Sequence, residues 1–500
     1  MKKKLSAALA ACMMLTMLLP LGGCGGQDER PVLRVYNWED YISEPTQNAD
    51  GSVEDDYIDL IAEFEEEYGV RVEYSTFGTN ENMYNELQIN PGAYDLVCPS
   101  DYMIMKMIAE DMVQPFSDEF LQDSNYAKYA SPYIKDLFEE NGWTEYAVAY
   151  MWGTMGYVYD PERVSGEELS SWAGLWKEEN ARGATIKDSV RDSYFLGVAY
   201  VYREELMQLK GEYESGELSP ADYNAAVTKI MNRTDEETID RTKEAMIELK
   251  QHLYGFEVDS GKQDMVTGKI SINFAWSGDA VYTMDEAEPY IDEETGREVE
   301  GIYLNYVVPE ECSNIWFDGW VMPKGANREL AEKFIDFLSR PENAVANMNY
   351  IGYTSAIAGD AVFEEMLDWY AEGEAGDTDE AGKPLVAYDL NYFFGGTGDG
   401  AYQDGEYVIY VSEESSHRQI SAQFPTEEVL ARSAIMQYFD NDTNAAVNEM
   451  WEEIKGLPIP GWAYIVIAAI AAGIVVIALT YVYKGKKREA KPKKGYRRIG

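Results

Sequence analysis

Carboxylates and aromatic rings recur together at a small set of places along this chain. Tyr36-Asn37-Trp38-Glu39-Asp40-Tyr41 is one, Pro99-Ser100-Asp101-Tyr102 a second, and Asp188-Ser189-Val190-Arg191-Asp192 a third. Trp276-Ser277-Gly278-Asp279, Trp316-Phe317-Asp318 and Ile351-Gly352-Tyr353 complete the set. Aromatic faces attract ammonium groups and cover methylene chains. Carboxylates placed at intervals pair with separate amines. Together they specify a flexible diamine or polyamine, held without covalent chemistry. Each residue alone has a plainer reading, since any one Trp is ordinary core and any one Asp here caps a helix. The joint recurrence carries the reading.

Other chemistries find less support. Paired carboxylates can serve a hydrolase as acid and base, but there is no Gly-x-Ser-x-Gly elbow and no suitably placed histidine. The two histidines, His252 and His417, and the lack of a C-x-x-C pair give zinc no ligand set. No cofactor, no metal and no enzymatic activity are expected. The net charge is −49. Taking away the three lysines at 2–4 and the net +8 of the last seventeen residues leaves about −60 for residues 25–455. Such a surface repels nucleic acid and suits a cationic solute.

The elements that must position these residues read as short apolar strands followed by amphipathic helices. Leu33 to Tyr36 reads as a strand; Tyr57, Leu60, Ile61, Phe64 and Tyr68 then repeat at helical spacing, with Gly69 as C-cap. Strands at Val70–Tyr74 and Tyr94–Cys98 and helices at Glu81–Leu87 and Tyr102–Glu110 continue the alternation. Met155–Tyr159, Ala184–Ile186, Ile270–Trp276 and Gly319–Met322 are later strands. The pattern predicts an α/β fold with a mostly parallel sheet. In such sheets ligands bind past the carboxyl ends of the strands, where the aromatic and acidic residues fall. A charged helical stretch near 203–242 and a Gly-, Asp- and Tyr-rich stretch near 363–418 read as insertions of unassigned function.

At these residues the chain resembles the spermidine/putrescine-binding proteins of bacterial ABC importers. The resemblance runs from about Val32 to Met322 and more loosely to Trp451. It rests on Tyr36-Asn37-Trp38-x-x-Tyr41, Tyr94-Asp95-Leu96-Val97-x-Pro99-Ser100-x-Tyr102, Ser171-Trp172-Ala173-x-Leu175-Trp176, Trp276, Trp316-x-Asp318 and Ile351-Gly352-Tyr353. It implies a type II periplasmic-binding-protein fold, two lobes joined by a hinge with the ligand between them. It implies an aromatic box of Trp38, Tyr41, Tyr102, Trp276, Trp316 and Tyr353, with Asp318 taking an amine and Ser100 a hydroxyl contact. Asp192 stands where the family has a glutamate, and Asp279 matches the putrescine-selective branch. Glu39, beside the first tryptophan, replaces a small hydroxyl residue and is counted with the site. Asp101 replaces a neutral residue, Ser189 stands where some members carry aspartate, and Gln437 aligns with a family glutamine.

The ends add expectations about location. Lys2 to Lys4 and the apolar run to Leu21 read as a signal peptide over 1–23. Cys24 follows as the lipidated residue, and 24–31 as a tether. Residues 460–483 are apolar and flanked by a basic tail at 484–500, which predicts a C-terminal transmembrane helix with the tail cytoplasmic. The globular part is then extracellular or periplasmic, on a membrane anchored by lipid and by helix. Lobe 1 is expected over 32–148 and 318–358, and lobe 2 over 149–317 and 359–455. Cys98 and Cys312 fall on different lobes and are expected as free, buried thiols. The implied function is to capture putrescine or spermidine and deliver it, as a monomer, to an ABC permease and its ATPase subunits. Alternatives are the same fold for another cationic solute, or a surface receptor that senses polyamines.

Overall fold

A computed structural model describes residues 30–46, 57–292, 296–398 and 400–456. Its first third alternates β1 (Val32–Trp38), α1 (Leu60–Tyr68), β2 (Arg71–Phe77), α2 (Asn80–Ile89), β3 (Leu96–Val97) and α3 (Asp101–Ala109). β1 pairs in parallel with both β2 and β3. Local chemistry sets the boundaries of α1. Asp59 caps its start by accepting the Ala62 N–H, and Gly69 ends it at φ 63°, which a residue without Cβ adopts freely. The chain then passes through α4 (Pro132–Glu140) into β4 (Ala147–Tyr159), whose thirteen residues are all buried.

The second half repeats the alternation with β5 (Ala184–Lys187), α5 (Val190–Val201), β6 (Gly255–Glu257), β7 (Ile272–Trp276) and α6 (Ser277–Ala287). β5 lies parallel to β6 and β7. A second long, wholly buried strand, β8 (Ser313–Pro323), crosses back. β8 pairs antiparallel with the first part of β4, from Ala147 to Thr154, and β7 pairs with the rest, Met155 to Tyr159. The result is one sheet of 12 strands along the path β2-β1-β3-β8-β4-β7-β5-β6, with four short strands attached to β4 and β8. Two parallel half-sheets are thus joined through two crossing strands, the two-lobe arrangement that the family resemblance implies. Helix α7 (Pro341–Ile351) follows β8 and ends at Gly352 with φ 78°.

Both stretches read as insertions carry regular elements among their described residues. The first holds helices at Arg203–Glu214 and Pro220–Met231 and the start of a third at Glu236–Lys250. The second carries an antiparallel pair, Val386–Asp389 with Val408–Val411. Near its turn, Tyr392 and Phe393 pack on Tyr133 of α4 and Trp152 of β4, at ring separations of 5.7 and 5.5 Å. Cys98 and Cys312 are free and buried.

One part of the expected fold class is corrected. No helix among the described residues is long and apolar enough to cross a membrane. The transmembrane helix expected over 460–483 is therefore no part of the described fold, and that segment lies outside the described residues. Apolar length and the flanking basic tail had carried that expectation. The signal and lipidation expected at 1–24 also lie outside them.

Candidate functional site

The carboxyl ends of β1, β3, β5 and β7 face the crossing strands, and three acidic centres form there. The first is Asp318, in β8. The β8–β4 register shifts between Asp318 and Gly319, a bulge of the kind that re-aims a side chain. Tyr41 donates its hydroxyl to Asp318 Oδ2 at 2.7 Å, and Ser100 donates to Oδ1 at 2.7 Å. Ser100 occupies the N-cap of α3 yet makes no cap hydrogen bond, so its hydroxyl serves the site instead of the helix. Asp318 is 7% exposed. Burial pushes its carboxyl up to about 6, against the pull of the two hydroxyls. Among the described residues, no Lys, Arg or His nitrogen lies within 4.0 Å of it.

Aromatic rings close around this carboxylate. The Tyr353 ring stands edge-on to Tyr41 at 5.6 Å and 5.4 Å from Trp316. Trp316 is held from behind by its indole N–H, which donates to the Thr154 carbonyl at 3.2 Å. Tyr102 is held by Asn80, whose Nδ2 reaches the Tyr102 hydroxyl at 3.1 Å and Ser100 Oγ at 3.0 Å.

Asp279, in the first turn of α6, is the second centre and differs in kind. Lys187 donates to its Oδ2 at 2.9 Å, and the Tyr353 hydroxyl donates to Oδ1 at 3.0 Å. Burial pushes the Asp279 carboxyl up, but Lys187, Lys262 and Tyr353 together outweigh it and leave it below its ordinary range. The third centre is Asp192 in α5. Burial raises its carboxyl, opposed by Ser189, Lys187 and the Trp276 indole N–H, which donates to it. No ion pair within 4.0 Å reaches Asp192 among the described residues.

The structure thus gathers Tyr41, Ser100, Trp316, Asp318 and Tyr353 directly. Asp279, Trp276 and Asp192 join through Tyr353 and Lys187, and Tyr102 joins through Asn80. Trp38 ends β1 and packs on Phe77 at 4.5 Å. Glu39 is exposed beside it, and neither is bonded to the three acidic centres. Ser189 is the N-cap of α5, accepting the Asp192 N–H. Gln437 is exposed, and its carbonyl accepts from Arg191. Asp101 is buried, and burial pushes its carboxyl up to about 8.

Sequence reasoning missed Lys187, Arg191 and Asn80 as members of the site. The Arg191 guanidinium lies 4.6 Å over the Tyr102 ring and 3.7 Å over Phe439, joining the two halves. A lysine closing a short, wholly buried strand, at the end where ligands bind, was the available signal for Lys187.

Chemically, this arrangement can hold cations. It offers Asp318, whose carboxylate has no cation in contact among the described residues, and Asp192, which Lys187 and Arg191 compensate only from beyond contact.

Comparison with known proteins agrees with this geometry. The family model for bacterial extracellular solute-binding proteins matches residues 59–362. The spermidine/putrescine-binding periplasmic protein of Salmonella typhimurium is 27% identical over 353 residues, covering 70% of this chain and 84% of the relative. The putrescine-binding periplasmic protein PotF of Escherichia coli is 22% identical over 366 residues, covering 71% and 84%. Among solved structures, the spermidine/putrescine ABC transporter substrate-binding protein PotD of Streptococcus pneumoniae aligns with a TM-score of 0.55 at 23% identity, over 85% of this chain and 98% of that one. The TpPotD lipoprotein of Treponema pallidum aligns with a TM-score of 0.55 at 18% identity, over 85% and 99%. These two structures share the two-lobe fold. The chain belongs to the bacterial extracellular solute-binding proteins, a family that holds solutes rather than transforming them.

Proposed function

We propose that this protein captures a polyamine of the putrescine or spermidine class outside the cytoplasm and delivers it to an ABC importer. The observation that carries the reading is Asp318, a buried carboxylate bonded only to hydroxyls and faced by aromatic rings. A buried charge without a partner costs several kcal/mol, and an ammonium from a ligand is the partner this site lacks. Asp192, beside Trp276, is a second buried acid, compensated by Lys187 and Arg191 only from beyond contact. Rings between two such acids suit the methylenes between two amines. The names of the relatives point to the same solute class.

In this reading the ligand enters between the two halves of the sheet. Trp38, Tyr41, Tyr102, Trp276, Trp316 and Tyr353 desolvate its methylenes, and Asp318 and Asp192 replace water around its amines. Ser100 orients Asp318, Asp279 completes the wall beneath Tyr353, and Glu39 lies at the rim. Contacts from both halves favour the closed form, a population shift driven by differential affinity. A lipid on Cys24 would keep the protein beside its permease. Calorimetric titration of putrescine and spermidine, after refolding to strip bound ligand, tests the proposal. Micromolar or tighter binding of either supports it; absence of heat and of thermal stabilisation with both would discard the polyamine.

A further inference from the structure

The site contains an ammonium of the chain's own. Lys187 ends β5 with its side chain 1% exposed. Its Nζ stands 4.4 Å from the centroid of the Trp276 ring. It donates to Asp279 Oδ2 and to the Val258 carbonyl, each at 2.9 Å, and Glu257 lies 3.4 Å away. A ring face, a carboxylate and a carbonyl are what a ligand's ammonium would seek. The other oxygen of Asp279 faces Lys262 at 3.6 Å and the Tyr353 hydroxyl at 3.0 Å. Asp279 is therefore supplied with cations, whereas Asp318 and Asp192 have none in contact among the described residues.

We infer that Lys187 permanently fills the amine subsite formed by Trp276 and Asp279, so that the site selects a short diamine over a triamine. The inference rests on the polyamine reading above. Lys187 is held by partners from β6, the residue after it, and α6, so a ligand amine gains nothing by displacing it. Burial opposes its charge, but Asp279 and Glu257 more than offset this, and the ammonium persists. Two acids remain for two ligand ammoniums. A third ammonium reaching toward Trp276 would meet Lys187, a like charge in a region of weak screening. The acid that matches a putrescine-selective pattern therefore acts through the lysine it holds in place.

The test is calorimetry on the full chain with putrescine and spermidine, for the parent, Lys187→Met and Lys187→Gln. The parent should bind putrescine at least about tenfold more tightly than spermidine. Lys187→Met empties the subsite and should move that ratio toward spermidine by about tenfold or more. Because that variant leaves Asp279 and Glu257 without their ammonium, folding is checked by circular dichroism. Lys187→Gln removes the charge but keeps a donor for Asp279 and the Val258 carbonyl, and carries the test if the first variant does not fold. It should move the ratio in the same direction. An unchanged ratio in folded Lys187→Met or Lys187→Gln would overturn the inference. So would a parent that prefers spermidine. A parent that binds neither polyamine overturns the polyamine reading itself, and is distinguished by the lack of any heat.

Discussion

The Tyr353 ring lies directly over the Cα of Gly278: a Cβ added to Gly278 would come within 1.7 Å of Tyr353 Cδ1. Gly278 is in the first turn of α6, and Tyr353 follows the glycine that ends α7. Their contact places the Tyr353 hydroxyl on Asp279 and its ring beside Tyr41 and Trp316. Gly278→Ala must push the ring away, because rings and backbone cannot share that space. We expect polyamine binding to weaken by about tenfold or more, with each half of the fold intact. Small-angle scattering should then show little compaction on adding ligand. Parent-like affinity and compaction would remove this contact from the closing mechanism.

Trp316 tests the ring wall and its packing together. It is 9% exposed, braced by Thr154, and fitted against Gly153, where a Cβ would lie 2.8 Å from the indole. Trp316→Ala should cost roughly 3–5 kcal/mol of stability by leaving a cavity. Trp316→Phe should restore much of that while leaving affinity reduced, since the indole face is the stronger cation acceptor. Chemical denaturation and calorimetry on both variants separate the two effects. Equal affinity in parent and Phe variant would confine Trp316 to packing.

How far the sequence reveals this site depends on the distance over which each residue is positioned. Helix α1 is legible because Gly69 and the apolar spacing act locally, and the ring-and-acid pairs at strand ends are legible for the same reason. The long strand β4 is not. Only Met155 to Tyr159 reads as strand, whereas the strand begins at Ala147. A strand buried on both faces shows no alternation, and Gly153 and Gly156 resemble breaks. Both glycines instead admit close neighbours, Trp316 and Tyr306. Lys187 eludes sequence reading for a different reason. A lysine at a strand end ordinarily reaches solvent, and its partners Val258 and Asp279 lie 71 and 92 residues away. Arg191 over Tyr102 is likewise set only when the two halves meet.

Asp318→Asn addresses the charge that carries the proposed function. The amide is nearly isosteric, and its oxygen can still accept from Tyr41 or Ser100, so the fold should survive. The ligand's ammonium would lose its ionic partner. Removing one member of such a buried pair costs roughly 2–5 kcal/mol, a loss of about thirtyfold or more in affinity. Calorimetry with putrescine reads this directly. A variant that binds like the parent would take Asp318 out of the ligand site.

The same carboxyl gives a pH signature with a definite sign. Its ordinary value is 3.8, and burial raises it to about 6 in the folded chain. Between those values the folded protein holds a proton that the unfolded chain has released, so stability falls as pH rises through this window. Below about pH 4 the contribution of the protonated form is complete, and above about pH 7 the parent carries a penalty of roughly 3 kcal/mol. Asp318→Asn lacks this titration. Without ligand, the variant should therefore gain on the parent in denaturation midpoint from pH 5 to pH 8. Asp101 is raised to about 8 in part by the charge of Asp318, so its carboxyl is raised less in the variant and adds to the gain in the same direction. Ligand binding needs the ionised form, so a proton competes with the ammonium. Polyamine affinity of the parent should fall by up to about tenfold per pH unit below 6, and that dependence should flatten in the variant. Parallel stability curves for the two proteins from pH 5 to pH 8 would mean that Asp318 is not the buried, uncompensated carboxylate on which the proposed function rests.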